Sequence, residues 1–134
     1  MKLCAQKLAN HLDSENYNYS TRENDNGNSV VIFPYKGKEA QCVFSGDDGK
    51  YLSIYMVYES VPEDRFAQAL IACNEVNVQY KWVAAYLDEE RDIMLHLDAL
   101  LSPRADASEA FEMLARFLDI SEKIKPVIMK AIYG

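Results

Sequence analysis

The sequence has few of the residues on which catalytic and metal chemistry most often depend. Its 134 residues include two histidines and three cysteines, Cys4, Cys42 and Cys73. The cysteines are odd in number, far apart and in no C-x-x-C pair, which argues against both a disulfide framework and a zinc site. We expect them to be packed thiols.

The chain also lacks a long apolar run and a cluster of basic residues. Its longest apolar stretches are strand-sized, well short of the ~20 residues that a membrane-spanning helix needs. MKLCAQ superficially suggests a lipoprotein cysteine, but no apolar segment of roughly 7–15 residues precedes Cys4. The net charge of −7 and the absence of a Lys/Arg stripe argue against nucleic acid as a partner. We therefore expect a cytoplasmic protein that contacts neither a membrane nor nucleic acid.

The size and composition are those of one globular domain. The hydrophobic share of 49% and the charged share of 26% are close to the average for a folded soluble chain. A chain of this length can bury roughly two-thirds of the surface that it exposes when unfolded. No internal repeat or low-complexity linker divides it, so we expect a single domain over residues 1–134.

The central stretch, residues 60–80, is predicted to be a helix between two groups of strands. Ser60 and Glu63 have the spacing of a capping box at its start. Its predicted buried face repeats every three to four residues and consists of Phe66, Ala69, Leu70, Cys73 and Val76. Asn74 and Asn77 share another face, and we predict that both satisfy backbone groups at the helix end or on a neighbouring strand.

Alternating apolar residues predict β-strands on both sides of this helix. The predicted strands are residues 17–22, 30–35, 41–45, 51–58, 81–87 and 92–97. Pro34 implies that its strand is an edge or bulged strand. A helix over residues 2–12 opens the chain, and one kinked helix or two, starting at Asp106 or Ser108, close it. Short turns between successive strands imply the α+β class, a single antiparallel sheet with helices packed on it.

The order of elements and three motifs resemble a known family. The motifs are VPED before the central helix, AxxACNEVN over Ala69–Asn77, and VAAYLDEERDIMLHLDALL near the end. They are similar to the YbjN-type family of putative bacterial sensory transduction regulators, over roughly Leu8–Leu118. The resemblance implies a type III secretion chaperone-like fold and a small, acidic, non-catalytic module. The secretion chaperones that share this fold are dimers that hold extended segments of other proteins, so a protein partner is also implied.

Candidates for catalysis are weak. A nucleophile needs a base within about 3 Å and a third group that orients the base. His11 is predicted on an exposed helix face and His96 on the polar side of a strand, and we interpret both as surface residues. A predicted turn holds four carboxylates, Asp88, Glu89, Glu90 and Asp92. Solvated charges are common in turns, so we predict no catalytic residue and no enzyme.

Neither glycine-containing turn fits an EF-hand calcium loop. Such a loop needs acidic or amide ligands before a glycine at position six and a glutamate at position twelve. If Gly27 is the sixth residue the twelfth is Phe33, and if Gly49 is the sixth the twelfth is Tyr55. We predict no metal and no cofactor.

Aromatic residues give the strongest positive signal. Tyr51 and Tyr55 on one strand, and Trp82 and Tyr86 on another, take the phase opposite the aliphatic core residues. If the helices cover one side of the sheet, these rings form an exposed face, and exposed aromatic surface commonly marks an interface. They could instead form a ladder that supports the sheet, or be covered by one of the chain's own helices.

These observations favour a non-enzymatic protein-binding module, chaperone-like or regulatory. We expect a homodimer through the aromatic face, with Trp82 and Tyr55 as anchors. The alternative is a small-ligand sensor with a pocket between the central helix and the sheet. A cavity of ~300 Å³ or more with convergent polar groups would favour the sensor, and a solid core with an open apolar face would favour protein binding.

Overall fold

A computed structural model describes residues 1–104 and 108–134, and within these ranges the chain forms six strands and four helices. The helices are α1 (Leu3–Ser14), α2 (Phe66–Gln79), α3 (Ser108–Lys123) and α4 (Lys125–Tyr133). The strands are β1 (Ser20–Glu23), β2 (Ser29–Tyr35), β3 (Lys38–Ser45), β4 (Tyr51–Ser60), β5 (Ala84–Leu87) and β6 (Asp92–Leu100). Asp106, one of the two predicted helix caps, lies outside the described residues.

The strands form one sheet in the order β1-β2-β3-β4-β6-β5, and every neighbouring pair is antiparallel. The predicted α+β class with a single antiparallel sheet is therefore confirmed. The helix α2 connects β4 to β5, and β5 adds to the outer side of β6 as an edge strand. The other edge is β1, whose four residues are all exposed.

The core lies between one face of the sheet and the helices. Alternate residues of the central strands are buried there: Leu52, Ile54 and Met56 of β4, and Ile93, Leu95 and Leu97 of β6. Leu8 and Leu12 of α1 and Phe117 of α3 belong to the same cluster of buried residues. No described helix has the length and apolar character that crossing a membrane would require.

The predicted capping box at Ser60 and Glu63 is wrong. Ser60 is the last residue of β4 and pairs with Asp92 of β6. Glu63 begins a short 3₁₀ turn, and α2 starts only at Phe66, without a side-chain cap hydrogen bond. The ladder with β6 carries the strand past the predicted helix start, so Ser60 cannot cap the helix.

The prediction that Pro34 lies in an edge or bulged strand is also wrong, because β2 lies between β1 and β3 and its register with β3 is continuous. The proline is tolerated because β1 is short. The ladder between β1 and β2 ends at the pair Ser20–Ile32, two residues before Pro34. In the described part of the chain no strand lies beside Pro34 on that side, so its missing N–H removes no ladder hydrogen bond.

The helix α2 buries a narrower face than predicted. Its buried residues are Ala69, Ala72, Cys73 and Val76, whereas Phe66 and Leu70, predicted to be buried, are exposed. Three of the four buried residues are small, which lets the helix backbone lie close to β5 and α4. The larger apolar residues therefore point away from the core.

Candidate protein-binding surface

We call the face of the sheet that points away from the helices the outer face, and over β4, β5 and β6 it carries exposed side chains. Over these three strands its larger apolar side chains are Tyr51, Tyr55, Val57, Tyr86, Met94 and Leu100. Exposure reaches 54% for Val57 and 70% for Leu100. Val57, Met94 and Tyr86 are contiguous across the sheet, and exposed contiguous apolar surface commonly marks a binding site.

The strand register places these side chains in rows across the sheet. Tyr55 pairs with His96, and the two rings stack with their centroids 4.3 Å apart. Val57 pairs with Met94, which in turn pairs with Tyr86. Tyr55 and Tyr86, which were predicted to share a face, thus lie in adjacent rows of the outer face. The stacked rings of Tyr55 and His96 form a ridge in the middle of this face, which we call the Tyr55–His96 ridge.

A chain of polar contacts continues from this ridge along β6. His96 Nε2 lies 2.8 Å from Asp98 Oδ1, and the Ser53 hydroxyl donates to the same oxygen at 2.6 Å. The Ser53 hydrogen bond, and then His96, lower the pKa of Asp98. In a catalytic triad the histidine contacts the serine directly. Here the carboxylate lies between them, so His96 is not placed to activate Ser53.

Two hollows flank the Tyr55–His96 ridge. The first, of about 520 Å³, lies toward β3 and has Gln41, Tyr55, Val57 and Met94 in its wall. The second, of about 350 Å³, lies toward β5 and is lined by Asn77, Trp82, Val83, Ala84, His96 and Asp98. Ala84 pairs with His96 across the strands, and its small side chain leaves this space open.

Trp82 lies at the rim of the outer face, outside the aromatic rows. The predicted strand over residues 81–87 begins only at Ala84, and Trp82 precedes it with a left-handed φ of 77°. This backbone turn takes the indole toward α3, where the Arg116 guanidinium is 5.5 Å from the ring centroid. The ring remains 55% exposed and borders the second hollow.

Tyr51 lies at the far end of the outer face, where it pairs with Leu100. Its ring packs on Gly46, whose φ is 76°, and a side chain at Gly46 would collide with the ring. The Lys50 ammonium group is 5.3 Å from the ring centroid. The tyrosine is therefore held in position although it is half exposed.

The two asparagines of the central motif have different environments. Asn77 closes the outer edge of β5: its Nδ2 donates to the Ala85 carbonyl at 3.0 Å, and its Oδ1 accepts from the Ala85 N–H at 2.8 Å. Such contacts with a neighbouring strand are those predicted for Asn77. Asn74 is exposed, and no hydrogen bond joins its side chain to another described residue, contrary to the prediction.

The carboxylate group in the β5–β6 turn has a structural role. Asp88 Oδ1 accepts the N–H groups of Glu90 and Asp92, each at 2.9 Å, and so stabilises the turn. Oxygens of these three residues lie within 4.8 Å of one another, but two of the three side chains are only half-buried and the third is exposed. The turn interpretation of this segment accounts for the geometry.

The remaining candidates are packed side chains. All three cysteines are buried and free, and burial raises the pKa of Cys42 to about 12, so this thiol is not a nucleophile. His11 is not simply exposed, because its ring lies 4.5 Å from the ring of Phe111. His96 lies on the polar side of its strand, as predicted, in the phase that it shares with Met94 and Asp98. Its stacking on Tyr55 was not predicted, because it depends on the register between β4 and β6.

A groove with apolar walls lies away from the place where the ligand-sensor alternative expects a pocket. It measures about 570 Å³ and lies between α2 and α4. Its walls are apolar at Ile71, Ala72, Pro126, Val127 and Ala131, with Arg65, Glu75 and Lys130 among the polar residues. The space between α2 and the sheet is filled by Ala69, Cys73 and Val76.

Solved structures share this architecture. A type III secretion chaperone of Yersinia pestis, SycH, in complex with a stable fragment of YscM2, is similar at a TM-score of 0.60 and 10% identity, over 90% of this chain and 98% of that one. YbjN of E. coli, described as a putative transcription regulator, is similar at a TM-score of 0.61 and 17% identity, over 94% and 89%. The chain thus has the type III secretion chaperone-like α+β fold.

Within this fold class the sequence itself defines the family. Residues 5–129 match the YbjN family, described as "putative bacterial sensory transduction regulator". The chain belongs to the YbjN family, as the resemblance implied. No curated protein sequence matches it. The family and the similar structures carry the names of regulators and a chaperone, and none is named as an enzyme.

Proposed function

We propose that the chain is a single-domain, non-enzymatic, cytoplasmic module with a chaperone-like or regulatory role, which acts as a homodimer and binds a protein partner on its outer face. The observation that carries this proposal is the uncovered aromatic and aliphatic surface on one side of the sheet. A sheet face with polar residues alone would need no partner. Here apolar side chains stay in contact with water until a partner covers them, and covering them is favourable. These side chains are Tyr51, Tyr55, Val57 and Leu100.

The shape of the outer face suits a protein segment better than a small molecule. The Tyr55–His96 ridge and its two hollows extend across β3, β4, β6 and the start of β5. Two side chains of one partner segment can enter the hollows while the ridge packs between them. Tyr86 and Trp82 lie at the β5 side of this surface, where aromatic rings commonly anchor a partner.

Among the described residues, Ser53 and His96 are not arranged as a nucleophile and its base, which supports a non-enzymatic role. Ser53 and His96 both contact Asp98 and not each other. The fold is shared with a secretion chaperone that was crystallised with a fragment of another protein, which is consistent with a binding module.

Paired affinity capture from the native cell tests the proposal. Val57→Glu places a charge at the centre of the outer face, and Tyr133→Glu places the same charge on an exposed apolar residue of α4 as the control. We expect wild type and Tyr133→Glu to capture the same partner proteins. Val57→Glu should fail to capture them. Recovery of one identical set by all three would place the partner on another surface.

The groove between α2 and α4 favours the alternative, a small-ligand sensor, because its volume exceeds the ~300 Å³ typical of ligand pockets. A metabolite bound there would raise the melting temperature of the protein. The effect should disappear in Ala131→Trp, which fills the groove. A metabolite screen without any stabilising compound would exclude this alternative.

A further inference from the structure

The second hollow of the outer face brings a carboxylate and an aromatic ring together. Asp98, His96 and Trp82 are all part of its wall. The Asp98 side chain is 68% exposed, and the contacts of Ser53 and His96 both fall on its Oδ1 atom. Its Oδ2 atom makes no hydrogen bond with a described residue. One carboxylate oxygen at the hollow is therefore available to a ligand.

The ring at the rim of this hollow already holds one cation. The Arg116 guanidinium lies 5.5 Å from the Trp82 ring centroid, and Glu112 balances its charge across a distance of 2.8 Å. Trp82 has the left-handed φ of 77°, a conformation that is uncommon for a bulky residue and that is often retained at binding sites. Of the aromatic side chains, indole attracts cations most strongly. Its exposed part is thus suited to a second cationic side chain.

Every charged side chain in the outer phase of the described strands β3, β4, β5 and β6 is acidic. Glu39 of β3 and both Asp92 and Asp98 of β6 alternate with the buried residues of their strands. The basic residue that the register places in this phase is Arg22, on β1 at the opposite edge of the sheet from β5. The part of the outer face around the second hollow therefore has a negative charge.

We propose that the outer face binds a basic partner segment, and that a lysine or arginine side chain of this segment enters the second hollow between Asp98 and Trp82. The inference rests on the proposed function and names the chemistry of the partner. The ammonium or guanidinium group donates to Asp98 Oδ2, and the same side chain packs on the indole ring.

Covering the outer face creates the need for this cation. Asp98 is in contact with water while the face is open, and a partner that covers the second hollow removes that water. A carboxylate buried without a counter-charge is costly, and Ser53 and His96 contact only one of its two oxygens. An apolar or acidic partner side chain would leave Oδ2 unpaired. The net charge of −7 also attracts a basic segment over a longer range.

Selection from a displayed library of random linear peptides tests the inference without knowledge of the natural partner. Outer-face peptides are those that bind wild type but not Val57→Cys carrying a polyethylene glycol label, which covers the face without adding a charge. The three native cysteines are buried and should not take the label. We expect these peptides to be enriched in lysine and arginine over the unselected library.

Asp98→Asn removes the proposed counter-charge and keeps an oxygen that accepts from Ser53. It should raise the Kd of a selected peptide roughly 10-fold, measured by fluorescence anisotropy. Asp25→Asn is the control, since it removes the same charge from an exposed site in the turn between β1 and β2, and it should leave the Kd unchanged. Trp82→Ala should also weaken binding, and Trp82→Phe, which keeps a ring, should weaken it less.

A double-mutant cycle shows whether the basic residue of the peptide contacts Asp98. Replacing that residue by glutamine should raise the Kd by a similar factor, and combining it with Asp98→Asn should raise the Kd no further. Factors that multiply, or outer-face peptides without an excess of lysine and arginine, would overturn this inference and keep the partner site. A library that yields no outer-face peptide would overturn the partner site itself.

Discussion

The side-chain amide of Asn77 takes the place of a neighbouring strand at the edge of β5. It satisfies both backbone groups of Ala85 that point outward, which also blocks this edge against pairing with another chain. We expect Asn77→Ala to lower the free energy of unfolding by roughly 1–3 kcal/mol, because two hydrogen bonds at a partly buried site are lost. Urea denaturation measures this.

Gln68→Ala is the matched control for Asn77→Ala. Gln68 is another amide on α2, but it is exposed and no hydrogen bond joins its side chain to a described residue. Its replacement should change the stability by less than about 0.5 kcal/mol. Equal stability of the two variants would show that the contact with Ala85 contributes nothing measurable.

Asp98 should respond to the loss of Ser53 through its pKa. The hydroxyl of Ser53 donates to the ionised carboxylate and is the main cause of its lowered pKa, with His96 acting in the same direction. We expect Ser53→Ala to raise the pKa of Asp98 toward its ordinary value, and an NMR titration of the carboxyl carbon measures the change. An unaltered titration would mean that the hydroxyl does not bond to Asp98 in solution.

The two asparagines show how far sequence reasoning reaches for single residues. Both lie in one motif at three-residue spacing, and the same structural role was predicted for both. Only Asn77 reaches a backbone group, that of Ala85, because its side of α2 faces β5. The Asn74 side chain lies one turn earlier on the helix and is exposed. The side of a helix that faces a strand depends on packing that residue spacing does not determine.

The contact between β4 and α3 depends on a buried tyrosine. The Tyr58 hydroxyl donates to the carbonyl of Ser121 at 2.6 Å, near the α3 C-terminus where carbonyl groups lack helical partners. Tyr58→Phe should lower the free energy of unfolding by about 1–3 kcal/mol, measured by urea denaturation. Tyr133→Phe, which removes an exposed hydroxyl from α4, is the control and should be close to neutral.

The same hydroxyl predicts how stability depends on alkaline pH. Burial raises the pKa of Tyr58 from 10.0 to about 12, so the folded state keeps the proton longer than the unfolded state does. This contribution is fully present below the unfolded pKa and is lost as the pH rises through the folded pKa. Wild type should therefore lose more stability over this alkaline window than Tyr58→Phe does. Parallel pH profiles of the two proteins would contradict this.

The errors about α2 have a physical origin in its composition. Apolar residues occur on all sides of this helix, so their spacing alone could not separate the face on the core from the exposed face. Strand β4, by contrast, alternates strictly between Leu52, Ile54, Met56 and the outer residues, and its prediction was confirmed apart from its end. That end moved because the ladder with β6 extends to Ser60, a contact distant in sequence.

For the molecule as a whole, alternation and short turns were enough to predict one antiparallel sheet with helices on it. They also predicted that Tyr51, Tyr55 and Tyr86 lie on the opposite side from the core. They could not predict that Trp82 turns toward Arg116, since this depends on a left-handed backbone residue before β5. The hollows beside Tyr55 and His96 likewise depend on which residues meet across strands.

Site-specific photo-crosslinking in the native cell tests most directly whether the outer face binds a protein partner. A photoreactive residue at position 57 lies on the outer face, and one at position 115, an exposed alanine of α3, lies on the helical side. We expect position 57 to capture a different protein and position 115 to capture none. Capture from position 115 alone would contradict a partner site on the outer face, as would adducts from position 57 that contain only a second 15.3 kDa copy.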